Sequence, residues 1–578
     1  LVPAIVKGKK TIVSTGTKNL QEQLFYRDLP KVLEIMDIKP KIRLLKGRSN
    51  YLCHHRMYNA LHSRIIHNPD LAVPLQLIES WSHKTEVGDK AELEAVAEND
   101  FIWRHVTSTA ENCLGSECPS YVDCLVMKAR RKAMEADVLV VNHHLLFADM
   151  ALKQDGFGEL LPDAEVIILD EAHQIPEIAS RFFSQSFSSY QCQDLLNDTL
   201  KEAGEVSGAH AAIKDQHQWL EQALRDLYLQ FADVADTDTL KKLLANKANF
   251  EHLELLKQSL GDLAEALKLI AAQSKGLESC FLRTENLIAF IDELLTTTKA
   301  DFIYWYENRN KFFIFHKTPI DISDPLTQFR EENQATWILT SATLAVNKSF
   351  THFQAETGFL DSDTLLLDSP FDYENNALIY VPKEVPDAND FHFNQAICEH
   401  VLPLIEQTKG GVFFLFTSHR ALNKAAQFFH EKLSKPLFVQ GQGSRHQILA
   451  DFRDSGNGVL LGAASFWEGV DVAGDNLSCV IIDKLPFAHP DDPVLQARIN
   501  RIIENGGNSF FDYQLPKAII ALKQGAGRLI RSETDRGILV ICDKRIMTKA
   551  YGRQFINSLP TMRKTNRIEK IYNSFAKI

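Results

Sequence analysis

Nine short apolar runs constrain this chain more than any other feature. Four come early, at residues 11–14 (TIVS), 138–141 (VLVV), 166–169 (VIIL) and 337–340 (WILT). Five follow, at 378–381 (LIYV), 412–416 (VFFLF), 458–461 (GVLL), 479–483 (CVIID) and 538–541 (ILVI). They do not alternate apolar with polar, so each strand they form must be covered on both faces. Parallel sheets with helices on either side have that property. The expected fold is therefore α/β, with two parallel-sheet domains in tandem and ligands bound at the carboxyl ends of the strands.

Two insertions interrupt the first set. Residues 51–136 hold four of the nine cysteines, and residues 181–330 are mostly helical and acidic. Within the second, Leu253, Leu256, Leu260, Leu263, Leu267 and Ile270 recur at spacings of three and four, which predicts a helix-packing seam. FIYWYENRNKFFIFH at 302–316 predicts a β-hairpin with its turn at Glu307–Asn310. The opening LVPAIVKGKKTIVSTGT reads as the tail of an apolar helix, a Gly-Lys turn and a strand.

With 578 residues and 45% hydrophobic content, the chain can build three or four domains. A net charge of −12 excludes a wholly basic nucleic-acid coat but leaves room for a local basic channel. KARRK (128–132) and MRKTNRIEK (562–570) are the basic clusters, each read as a solvated helix face. Nine cysteines, an odd number without an opening secretory signal, fit a reduced cytoplasm. No apolar run approaches the roughly 20 residues of a membrane-spanning helix.

EVIILDEAHQI (165–175) carries the first chemistry. Asp170 and Glu171 follow a buried-strand pattern directly. There, one carboxylate can hold Mg²⁺ and its neighbour can orient and deprotonate an attacking water, with His173 two residues on. LTSATL (339–344) places hydroxyls after another strand, suited to bonding that histidine or the carboxylates. QGAGRLIRSETDRG (524–537) sets Gln524, Arg528 and Arg531 at helical spacing around Gly525 and Gly527, with guanidinium groups suited to a transferring phosphoryl group. FWEGVDVAGDNL (466–477) places Glu468, Gly469 and Asp471 in a loop open to a ligand.

Cys53, Cys113, Cys118 and Cys124 cluster in the first insertion, whereas the other five cysteines sit singly in apolar surroundings. Four clustered thiols call for structural zinc or an iron–sulfur cluster. The gaps of four and five residues fit a cluster at least as well as zinc, and spacing alone leaves the two open. STGT (14–17), KGRSNYLC (46–53), VNHHLL (141–146) and KLPFAHPDDP (484–493) place polar, basic and aromatic groups just after strands, as a polynucleotide track would.

Taken in order, STGT, KGRSNYLC, the three-cysteine loop, VNHHLL, DEAH, TSAT, FWEGVD, KLPF and QGAGRLIR resemble the XPD/DinG-like branch of superfamily 2 DNA helicases over essentially the whole length. The resemblance implies two RecA-like motor domains: one at 1–50, 137–180 and 331–347, the other at 348–578. It also implies an iron–sulfur domain at 51–136 and a helical arch at 181–330. Cys53, Cys113, Cys118 and Cys124 are then ligands of a 4Fe-4S cluster supported by Arg48. Asp170, Glu171 and His173 serve Mg²⁺ and water, and Gln524, Arg528 and Arg531 serve the γ-phosphate of ATP. Gly469, Asp471, Gly525 and Gly527 line the nucleotide, and Thr15, Thr17, Arg48, Asn142, His143, Thr417 and Phe487 follow DNA.

The implied activity is ATP-dependent 5′→3′ unwinding of single-stranded or forked DNA in repair or replication, in the cytoplasm at the nucleoid. Replication or repair proteins are the implied partners, with the polymerase III chi subunit or single-strand-binding protein as candidates. The resemblance also calls for a phosphate loop, yet residues 1–578 contain no G-x-x-x-x-G-K-[ST]. The expectation is a fragment that lacks its first several dozen residues and is inactive without them. The alternatives are a non-catalytic DNA-binding scaffold with a motor fold and a DEAH-type RNA helicase.

Overall fold

The computed structural model describes residues 1–63, 68–154, 160–296, 299–309, 312–463, 466–467 and 477–575. The chain divides into two units, residues 1–340 with 490–498 and residues 341–489 with 499–578. The break falls inside LTSATL, where the last strand of the first unit ends at Thr340.

In the first unit, β1 (Thr11–Thr15), β2 (Ile42–Leu44), β3 (Val138–Asn142), β4 (Val166–Asp170) and β9 (Thr336–Thr340) form a parallel sheet in the order β2-β3-β1-β4-β9. The central strands β1 and β3 are buried throughout, as their unbroken apolar runs require. The register pairs Thr15 with Asn142 and Asp170 with Thr340, so STGT, VNHH and DEAH all emerge at the carboxyl edge. The opening helix Val2–Val6 reaches β1 through Gly8, whose φ of +63° suits a residue without Cβ.

The insertion at 51–136 has its own small core, in which Leu52, Ile78, Ile102, Trp103 and Val106 pack together. In the 181–330 insertion, the helices Ser189–Gly204, Ala209–Gln230, Lys247–Lys268 and Lys275–Thr296 pack on an antiparallel sheet. That sheet is built from β5 (Gln185–Ser188), β6 (Thr237–Thr239), β7 (Phe302–Arg309) and β8 (Phe312–Pro319). The expected leucine seam is buried along its length. The hairpin forms, but Glu307, Asn308 and Arg309 belong to β7 rather than to a turn. Cross-strand pairing continues to Arg309 opposite Phe312, and residues 310–311 lie outside the described residues.

The second unit is a seven-stranded parallel sheet of β10 (Ala377–Tyr380), β11 (Gly411–Leu415), β12 (Leu437–Val439), β13 (Val459–Gly462), β14 (Leu477–Ile482), β15 (Gly537–Ile541) and β16 (Arg563–Thr565). Its order is β12-β13-β11-β14-β15-β10-β16. Phe413 and Leu415 face one core while Val412 and Phe414 face the other, so both faces are covered. The cluster 562–570 departs from the expected helix face: Arg563–Thr565 pair with β10 as an edge strand, and helix begins only at Ile568. Among the described residues, no helix is long and apolar enough to cross a membrane.

Candidate functional site

Asp170 ends β4 and Glu171 turns away from it at φ +51°, a left-handed conformation that a side-chain-bearing residue adopts only under local constraint. Burial, reinforced by the Glu171 charge, raises the Asp170 carboxyl above its ordinary range. Glu171 also pairs with His173 at 3.4 Å. The turn after β1 lies against this segment: a Cβ on Gly16 would sit 1.9 Å from the side-chain oxygen of Gln174.

His143 makes the second tie. Its ring is fully buried, with Nδ1 2.7 Å from the Ser14 hydroxyl and Nε2 2.9 Å from the Asp170 carbonyl. A carbonyl only accepts, so Nε2 carries the proton and Nδ1 accepts from Ser14. Both ring nitrogens of His143, a residue expected to follow DNA, are thus used inside the protein. Two neighbours are engaged likewise. Thr15 is buried and donates to the Thr17 carbonyl, and Asn142 is buried and accepts from the Leu145 N–H. Thr17, half-buried, caps the helix Lys18–Gln23 by accepting from the Leu20 N–H.

Burial lowers His143 to about 3, so it stays neutral where an unfolded histidine charges. Between about pH 6.5 and 3 the unfolded chain holds the extra proton, and stability falls with decreasing pH by roughly 1.4 kcal/mol per unit from this group. Urea melts of the wild type and His143→Gln at about pH 6.5 and 4.5 should show a shallower acid loss in the variant. Equal slopes would remove His143 from the account.

In the second unit, Gln524 donates to the Thr343 hydroxyl of TSAT. Arg528 and Arg531 do not share a helix face, because the helix Leu515–Ala526 ends at its Gly527 cap and both arginines lie beyond it. The space beside Gly525 is taken by the Trp467 ring, 2.9 Å from a notional Cβ, so a larger residue there would meet the ring. Arg528 donates through Nε and Nη2 to the Trp467 carbonyl at 3.2 and 2.8 Å. Buried Asp535 accepts from the N–H groups of Arg531 and Ser532 and shapes the loop that carries Arg531. Sequence reasoning missed Asp535, although Ser-x-x-Asp in SETD is a turn signal. Glu468, Gly469 and Asp471 lie outside the described residues.

Thr417 is exposed, and both its N–H and its hydroxyl donate to Asp483, at 3.0 and 3.2 Å. Burial pushes Asp483 up to about 7. Phe487 is half-buried against Phe510, Tyr551 and Phe555, with the Arg545 guanidinium 5.7 Å from its ring. Packing thus accounts for most of its surface.

Cys53, Cys113, Cys118 and Cys124 all line one cavity of about 220 Å³, together with Arg48. The remaining five cysteines are buried and free, as expected of core residues. Burial pushes the Cys53 and Cys118 thiols up, and it makes the Arg130 guanidinium less basic than usual, Arg48 adding to the effect. Among the described residues, no three histidine, cysteine or carboxylate side chains converge closely enough to hold a single metal ion. Arg48 donates to the Thr109 carbonyl at 3.3 Å, which ties the KGRSNYLC segment to the cysteine loop.

The helicase C-terminal domain family matches residues 401–562. The chain is 42% identical over 579 residues to the ATP-dependent DNA helicase YoaA of Haemophilus influenzae, spanning 99% of this chain and 89% of that one. YoaA of Escherichia coli is also 42% identical, over 99% of this chain and 90% of its own. The ATP-dependent DNA helicase DinG of Photobacterium profundum is 30% identical, over 97% and 89%. Among solved structures, an XPD helicase superposes with a TM-score of 0.57 at 17% identity, covering 97% of this chain and 92% of that one, a likeness of fold. The chain belongs to the XPD/DinG-like family of helicases.

Proposed function

We propose that this chain is the motor of an ATP-dependent DNA helicase that moves 5′→3′ on single-stranded or forked DNA in repair or replication. The observation that carries the reading is the Asp170–Glu171 pair at the carboxyl end of a parallel strand, tied through His143 to the STGT strand beside it. Asp170 serves Mg²⁺, Glu171 orients the attacking water with His173 beside it, and Gln524, Arg528 and Arg531 serve the γ-phosphate. The names of the relatives at 42% identity support ATP and DNA as ligands.

The cysteine cavity is read as the seat of a 4Fe-4S cluster rather than zinc, because all four clustered cysteines line it and the family likeness calls for such a cluster. Bound there, the cluster would supply a rigid cross-link of the 108–124 segment and a one-electron redox centre. Cytoplasmic residence near the nucleoid, and replication or repair partners such as the polymerase III chi subunit or single-strand-binding protein, follow from the same reading.

Residues 1–578 contain no phosphate loop, so this sequence as it stands is expected to show no DNA-stimulated ATP hydrolysis. In a longer chain bearing a Gly-Lys-Thr loop, Glu171→Gln should lower DNA-stimulated turnover about 10²- to 10⁴-fold while DNA affinity holds. Turnover by the 578-residue chain itself would refute the assigned phosphate chemistry, and preferential unwinding of 3′-tailed or RNA duplexes would refute the polarity or the substrate.

A further inference from the structure

We infer that Arg130 is a second guanidinium, alongside Arg48, that balances the charge of the iron–sulfur cluster and sets its reduction potential; this rests on the cluster reading above. Arg48, Arg56 and Arg130 line the four-thiol cavity, and among the described residues no aspartate or glutamate does. Arg56 is engaged elsewhere, 3.8 Å from Asp198. Arg130 makes no hydrogen bond or ion pair among the described residues, unlike its helix neighbour Lys128, which pairs with Asp123 at 3.5 Å. Asp149, the carboxylate with electrostatic influence on Arg130, is held by Lys153 at 3.3 Å and by the Leu160 and Leu161 N–H groups.

A half-buried guanidinium without a counter-charge is costly unless an anion belongs beside it. Four thiolates around an iron–sulfur core form such an anion, and reduction by one electron makes it more negative. Two helix ends act in the same direction. Cys53 and Cys124 are the N-terminal caps of His54–Leu61 and Leu125–Met134, with neither thiol spent on capping. Positive charge on Arg130 therefore stabilises the reduced cluster more than the oxidised one.

The test uses the 578-residue chain purified without oxygen and titrated with dithionite as the electron donor. Iron and sulfide per chain and the electron-paramagnetic signal of the reduced cluster are the readouts. Arg130→Gln should keep its iron but show about a tenfold lower ratio of reduced to oxidised cluster at fixed potential, about 59 mV for one electron. Arg130→Lys should recover most of that difference, and Lys128→Gln should change nothing. Failure of Arg130→Gln to assemble a cluster that Arg130→Lys does assemble supports the same charge dependence. A brown Arg130→Gln protein with unchanged potential overturns the inference, as does an equal shift in Lys128→Gln or loss of the cluster in both Arg130 variants. A colourless wild type holding zinc overturns the cluster reading itself, and so is told apart from failure at Arg130 alone.

Discussion

Cys113→Ser should turn a brown protein colourless and leave the segment around it open to protease. Residues 108–124 contain one short helical turn, Gly115–Glu117, and otherwise hold their course through a few local hydrogen bonds. If the proposed cluster is bound, a segment of that kind gains its order from it, since a structural metal can contribute on the order of 10 kcal/mol to local folding. The helical part of the insertion has its own core around Ile78, Ile102 and Trp103, so damage should stay local. The expected result is loss of visible absorption and of bound iron, with limited proteolysis cutting within 108–124 while both motor units survive. A Cys113→Ser protein that keeps full iron and colour would remove this thiol from the ligand set. A colourless wild type with stoichiometric zinc would replace the cluster with a different metal.

Lys46→Met should cost about 3–5 kcal/mol, the range for breaking a buried ion pair by removing one partner. The Lys46 ammonium, with its side chain only 3% exposed, sits 2.5 Å from Glu22 and 2.6 Å from Asp89. Burial opposes its charge, but hydrogen bonds to Asp89 and Glu22 win and hold its pKa above the ordinary lysine range. The triad joins three pieces: Glu22 on the helix after STGT, Lys46 just past β2, and Asp89 in the cysteine insertion. Removing the cation leaves two carboxylates facing each other with little water. Thermal denaturation should show the loss. A triple variant that also carries Glu22→Gln and Asp89→Asn should regain much of it, since the repulsion has gone. If Lys46→Met melts like the wild type, the triad contributes nothing to docking of the insertion on the motor.

The sheet-forming runs were legible because central parallel strands must be apolar on both faces, a demand written in consecutive residues. In the two parallel sheets, the strands without such a run, Ile42–Leu44, Leu437–Val439 and Arg563–Thr565, are three residues long and lie at sheet edges with no such demand. DEAH was legible for a similar local reason, as carboxylates directly following a buried run. Spacing misplaced the arginine pair because a helix-like interval does not reveal that Gly527 ends the helix first. His143 read as a residue for DNA, since nothing local says that Ser14 and the Asp170 carbonyl will close on its ring from two neighbouring strands. KARRK illustrates the same limit within one motif: Lys128 stays at the surface while Arg130 turns toward the thiols.

The sequence by itself determined the α/β class, the order of the motifs along the chain and the chemical groups available at each strand end. These depend on local periodicity and residue type, which survive without knowledge of the fold. Only the tertiary structure decided which polar groups were already spent. It put His143 inside, set Arg528 on a backbone carbonyl, brought Cys53 to one cavity with the three-cysteine loop and set Arg130 there with no acid lining it among the described residues. Those outcomes depend on which segments become neighbours across tens of residues of chain, and 129 in the case of Ser14 and His143. Partners at that range are chosen by packing and burial, and no local pattern records them.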